Sequence, residues 1–146
     1  MNTQKKLSTP PIVPELDVLD FEKSRAFYTD ILGFEILYER PEELFAYLKR
    51  EEAHIMLESA SGPGRRFGSR DLERPLGRGM NLQILTTSAT SLYERVTAFG
   101  LTPEVPLEEK WYRKDSEEVG NRQFVIADCD GYLLRFFEDL GARPLN

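Results

Sequence analysis

The sequence predicts an α+β protein made of two similar modules, each reading strand, helix and then about three strands. Three observations carry this. Residues 24–33 and 91–100 share their spacing, a helical run that begins at serine and stops at glycine. A polar stretch rich in glycine and arginine, 59–79, divides the chain, and the strand–helix pattern starts again after it. The chain closes on a hairpin, where 124–127 and 132–137 are β-branched and aromatic runs around the turn Asp128-Cys129-Asp130-Gly131. One such module is too small to be stable alone, so the pair, or two chains, must share a core.

Residues 1–10 carry two lysines and no apolar run, and read as a flexible tail rather than a signal peptide. The first module spans 11–60. Its opening strand, 12–19, alternates, with Val13, Glu15 and Asp17 on one face and Pro14, Leu16 and Val18 on the other. Asp20 can cap a helix running to Leu32, with Ser24, Phe27, Tyr28, Ile31 and Leu32 at helical spacing and Gly33 as its stop. Three strands follow at 34–39, 44–49 and 54–58, broken at Pro41-Glu42-Glu43 and Arg50-Glu51-Glu52.

Residues 61–79 are too long for an ordinary connection and read as a linker or flap. Gly62-Pro63-Gly64-Arg65-Arg66 fits a phosphate loop poorly, since no Lys-Ser or Lys-Thr follows and no strand-to-helix junction frames it. The second module, 80–140, opens with a strand at 80–85 and a helix at 88–99, with Leu92, Tyr93, Val96 and Phe99 inward. Strand-like runs at 104–107 and 110–113, a polar loop at 114–120 and the closing hairpin complete it. Residues 141–146 read as a tail.

With 40% hydrophobic and 30% charged residues in 146, the composition is that of a soluble globular protein. No apolar run approaches the roughly 18 residues that a membrane helix needs. The single cysteine excludes an internal disulfide and suits the cytoplasm. A net charge of -6 argues against nucleic acid and favours cationic partners.

Arg135 is the one charge inside the nearly apolar last strand. A buried arginine is costly unless paired, so it is expected to face a polar or ligand-filled cavity. His54 is the only histidine, which leaves a histidine acid–base pair or triad without its second member. It shares a face with Glu58, and with Glu15 or Asp17 the two could form a non-standard metal site; a cavity-lining histidine is the simpler reading. Cys129 reads as an ordinary thiol in a turn, Glu138 as a solvated strand end, and no serine nucleophile motif is present.

Leu19-Asp20-Phe21-Glu22-Lys23-Ser24, Ala26-Phe27-Tyr28-Thr29-Asp30-Ile31-Leu32-Gly33-Phe34 and Asp128-Cys129-Asp130-Gly131-Tyr132 resemble the vicinal-oxygen-chelate superfamily of glyoxalase I, extradiol dioxygenases and bleomycin-resistance proteins. The resemblance runs from Ile12 to about Leu140. It implies paired βαβββ modules whose curved sheets enclose a cavity, usually in a dimer. Cys129 stands where the family generally has proline.

Metal-using members carry His, Glu or Gln at cavity-facing positions of the first and last strands of each module. Matched by motif, those positions here are Val13, seven residues before Asp20, then Met56, Asn81, and Arg135, four after Gly131. Valine has no donor, a thioether is too soft for Mg, Mn or Fe, and arginine repels a cation. The resemblance therefore points to the bleomycin-resistance type: metal-free, without cofactor or catalytic residue, acidic, homodimeric, and binding a small cationic or aromatic molecule such as a bleomycin-like drug.

Face parity taken from those four positions gives a cavity floor of Val13, Glu15 and Asp17, His54, Met56 and Glu58, Asn81 and Gln83, and Leu133, Arg135 and Phe137. The ligand-binding set is Glu15, Asp17, His54, Met56, Asn81, Gln83, Trp111, Arg135 and Phe137. Arg135 is expected to be neutralised by Glu15 or Asp17. Trp111 and Tyr112 stack on the ligand or lie in a dimer interface. The alternative is a metal-dependent lyase, isomerase or dioxygenase using His54 and Glu58; a third is a regulatory subunit whose cavity is merely core. Whether the modules pair within one chain or swap between two stays open.

Overall fold

Asp20 opens the first helix as expected: its backbone is extended and its Oδ1 accepts the Lys23 amide at 3.1 Å. In the computed structural model, which describes residues 3–6, 8–64 and 72–146, β1 (Glu15–Val18) leads into α1 (Phe21–Ala26). Strands β2 (Glu35–Arg40), β3 (Phe45–Arg50) and β4 (Ala53–Ser59) follow. The second half repeats the order with β5 (Asn81–Leu85), α2 (Ala89–Ala98), β6 (Val105–Lys114), β7 (Glu117–Ala127) and β8 (Leu133–Pro144). Each half makes a four-stranded mixed sheet, β1-β4-β3-β2 and β5-β8-β7-β6, with β1/β4 and β5/β8 parallel. The chain is thus an α+β protein of two βαβββ halves.

Four local features depart from the sequence reading. The first helix is α-helical for six residues and then widens into a π-helical turn, Phe27–Ile31. Carbonyls at its end are satisfied from outside: Arg95 donates to Asp30 and Ile31, each at 2.7 Å, and Arg50 to Leu32 at 2.9 Å. The chain then reverses at Gly33, whose φ of +80° only glycine adopts freely.

The runs at 104–107 and 110–113 belong to one strand, β6, with an irregularity between Val105 and Glu108. The polar stretch 114–120 is mostly strand, not loop. Lys114 pairs with Glu117 and Arg113 with Glu118 across a turn at Asp115-Ser116, so opposite charges face each other on a solvated ladder. Residues 141–144 extend β8 instead of forming a tail, because Gly141 to Pro144 pair with Gly120 to Glu117. Of the linker or flap assigned to 61–79, residues 65–71 lie outside the described residues, as do Met1, Asn2 and Leu7 of the tail.

A single core draws on both halves. Leu16, Val18, Ile55 and Leu57 from the first sheet join Phe124, Ile126, Leu134 and Phe136 from the second, with Tyr28, Leu32, Leu92 and Val96 from the helical layer. Each such side chain contributes about 1.5–3 kcal/mol on burial. Polar clasps fasten the halves at the β7–β8 turn. Tyr28 Oη donates to Asp128 Oδ2 at 2.6 Å, and burial pushes the tyrosine and the carboxyl both above their ordinary values. The fully buried Asp130 accepts the Leu19 amide (3.2 Å) and the Arg74 guanidinium (3.0 and 3.1 Å). Tyr132 Oη donates to the Asp17 carbonyl at 2.9 Å.

Candidate ligand-binding faces

Leu16 and Val18 turn into the core, so β1 presents Glu15 and Asp17 on its other face. Parallel pairing of β1 with β4 sets Glu15 opposite Met56 and Asp17 opposite Glu58. Antiparallel pairing with β3 sets Tyr47 opposite Met56, Phe45 opposite Glu58 and Lys49 opposite His54. Glu15, Asp17, His54, Met56 and Glu58 therefore share one outer face, as the resemblance implies. Met56 is anchored there by its amide, which donates to the Pro14 carbonyl at 2.9 Å, next to Val13.

The sequence reading missed the other half of this face. A register shift in β2 between Ile36 and Tyr38 brings Tyr38 opposite Tyr47 and Arg40 opposite Phe45. Tyr38 stacks on Tyr47 with ring centroids 5.0 Å apart and planes at 15°, and Arg40 lies 3.9 Å above the Phe45 ring. Tyr47 Oη meets His54 Nδ1 at 2.7 Å. Phe45 and Tyr47 alternate visibly in β3; only the shift in β2 hides Tyr38.

Two rows thus cross the sheet: Tyr38, Tyr47, Met56 and Glu15 in one, and Arg40, Phe45, Glu58 and Asp17 in the next. The Glu15 carboxyl is pushed up to about 7, first by a hydrogen bond to Glu58, then by burial and the negative charges of Glu58 and Asp17. His54 and Glu58 lie on this face, but His54 Nδ1 is committed to Tyr47, and among the described residues no three His, Cys, Asp or Glu side chains converge to hold a metal.

On the second sheet Asn81 pairs with Leu133, Gln83 with Arg135 and Leu85 with Phe137, which places Asn81, Gln83, Arg135 and Phe137 on one face. Arg135 is not neutralised by Glu15 or Asp17. Those carboxylates sit on the other sheet, whereas Gln83 is directly across the ladder and accepts from Arg135 Nη2 at 2.6 Å. Trp111 lies on the opposite face of this sheet from Arg135. It pairs with Gly120, where a Cβ would come within 2.7 Å of the indole, and Arg143 stacks over the ring at 3.8 Å. Tyr112, the next residue, is the aromatic on the Arg135 face; its Oη accepts from Gln123 Nε2 at 2.8 Å.

The two groups of residues meet where β4 begins beside β5. There His54, Asn81 and Gln83 line a cavity of about 320 Å³ whose other walls include Pro10, Ile12 and Pro14.

Comparison with known proteins agrees with this architecture. The chain is 31% identical over 137 residues to bleomycin resistance proteins of Geobacillus stearothermophilus and Staphylococcus aureus, covering 88% of this chain and 96% of each relative. Its fold is similar to the crystal structure of TioX from Micromonospora sp. ML1, with a TM-score of 0.68 at 21% identity, over 88% of this chain and 98% of that one. A sequence model of the glyoxalase/bleomycin resistance protein/dioxygenase superfamily matches residues 15–136, and with two βαβββ halves in place the chain belongs to that superfamily.

Proposed function

We propose that the chain binds a planar small molecule carrying positive charge, without altering it chemically, in the manner of the bleomycin-resistance type. The row Tyr38, Tyr47, Met56, Glu15 carries this reading. It runs from an exposed tyrosine ring to an acid over three strand spacings, about 14 Å. A flat ring system adds to the stack at Tyr38, and a cationic group reaches the carboxyl end. The positions that hold ligands in metal-using members carry Val13, Met56, Asn81 and Arg135. That donor set does not fit a divalent ion, so no step is routed through one.

Bleomycin is the ligand to try first, because the relatives are named for resistance to it. Titration calorimetry should show saturable binding, and Tyr38→Ala should weaken it about five- to tenfold, the equivalent of one stacking contact of about 1–1.5 kcal/mol. No saturable heat, or a Tyr38→Ala variant that binds as well as the parent, rules the reading out.

The binding unit is a homodimer in this proposal, which brings the first-sheet face of one copy toward the second-sheet face of another. Light scattering should then give twice the 16.8 kDa of one chain. A protein that stays monomeric with bleomycin bound removes the dimer from the mechanism and leaves the binding face intact.

A further inference from the structure

Arg135 falls, by the motif match to the superfamily, on a position expected to hold a metal ligand, and it puts a fixed guanidinium charge there. Its surroundings leave that charge unspent. The guanidinium carries five N–H donors. Among the described residues its one hydrogen-bond partner is the neutral Gln83, through Nη2, and no carboxylate forms an ion pair with it. Nε is buried without an acceptor. The acids on the same face are engaged elsewhere: Glu108 accepts from Gln123, and Asp139 from the Gly141 amide. The ladder neighbours are Gln83 and Val125, with Asn81, Leu133 and Phe137 beyond them. A half-buried, planar fork of donors with an apolar rim and amides to one side is matched by one chemistry, a planar oxyanion on an apolar body.

We propose that Arg135, with Gln83 beside it, is a carboxylate-binding subsite that acts through charge-assisted hydrogen bonds. The proposal rests on the ligand-binding reading above, but not on its cationic class. Together the two faces select a ligand with a basic group for the first sheet and a carboxylate for the second. On binding, one carboxylate oxygen takes Nη1 and the other the second proton of Nη2, while Gln83 keeps the guanidinium plane in place.

The test uses three planar probes of one shape, naphthoate, naphthamide and naphthylmethylamine, titrated calorimetrically into the full chain. Naphthoate should bind about tenfold tighter than naphthamide, as expected for a charge-assisted bidentate contact. Arg135→Gln should abolish that preference. Arg135→Lys, which keeps the charge and loses the fork, should retain only part of it. An independent readout is the arginine Nε–H resonance missing from the Arg135→Lys spectrum, which should shift in the parent when naphthoate is added.

If naphthylmethylamine binds but naphthoate binds no better than naphthamide, the subsite is refuted and the ligand-binding reading survives. Tight naphthoate binding with no amine binding upholds the subsite and refutes the cationic class. If none of the three probes binds, both fall.

Discussion

Replacing Asp130 with alanine should destabilise the protein by about 3 kcal/mol, seen as a lower urea midpoint with an unchanged slope. The carboxylate is fully buried and serves three donors from two distant segments, the Leu19 amide and two nitrogens of Arg74. Hydrogen bonds to a charged group contribute about 1.5–3 kcal/mol each, and the Arg74 contacts belong at the lower end because its side chain is 52% exposed. Arg74→Ala should cost at least as much as intuition assigns to a half-exposed arginine, since it leaves a buried carboxylate with little more than one amide. The double variant should therefore lose less than the sum of the two single losses. Strict additivity would mean that the pair does not fasten β1 to the closing hairpin.

The second large effect concerns pH. With its carboxyl pushed up to about 7 by Glu58, Glu15 must give up a proton before it can meet a cation at full charge. Affinity for a cationic ligand should rise by up to about tenfold per pH unit between about pH 5 and 7 and level off above that. Below pH 7, binding should release a proton, measurable by calorimetry in buffers of different ionisation enthalpy. Stability moves the other way. The folded state holds this proton more tightly than an unfolded chain with its ordinary value of 4.5. The stabilising contribution is complete below that value and is lost as pH rises through about 7. Glu15→Gln should thus flatten the pH profile of binding, weaken capture at about pH 8, and make the folded protein more stable there. A variant that keeps the parent's pH profile would take Glu15 out of the site.

Local signals carried much of this architecture. Asp20 and Ser88 cap the two helices with their own side chains. Period-two alternation groups Glu15 with Asp17 and His54 with Met56, because a strand's parity is fixed by its pleat, and the family resemblance implied that the two pairs share a face. Parity fails wherever a strand shifts register, and the miss at Tyr38 comes from that. The shift beside Tyr38 brought an unforeseen ring onto the first face; on the second sheet the regular ladder from Glu108 to Lys114 puts Tyr112, and not Trp111, on the Arg135 face. Partners chosen across the ladder were not legible at all. Nothing local says that Arg135 faces Gln83, or that Glu15 finds Glu58, until β5 pairs with β8 and β1 with β4. The stretch 114–120 misled through composition. Charged residues suit loops, but here they alternate between strands and neutralise each other.

The shared core has a consequence for how the protein is made. Phe136 and Leu134, among its most buried members, lie on β8, an interior strand of the second sheet and the last element to be made. A ribosome must pass β8 before Leu16, Val18 and Tyr28 find their full set of neighbours. Until then the nascent first half exposes a sticky apolar layer, so chaperone cover is needed up to the moment β8 closes the core.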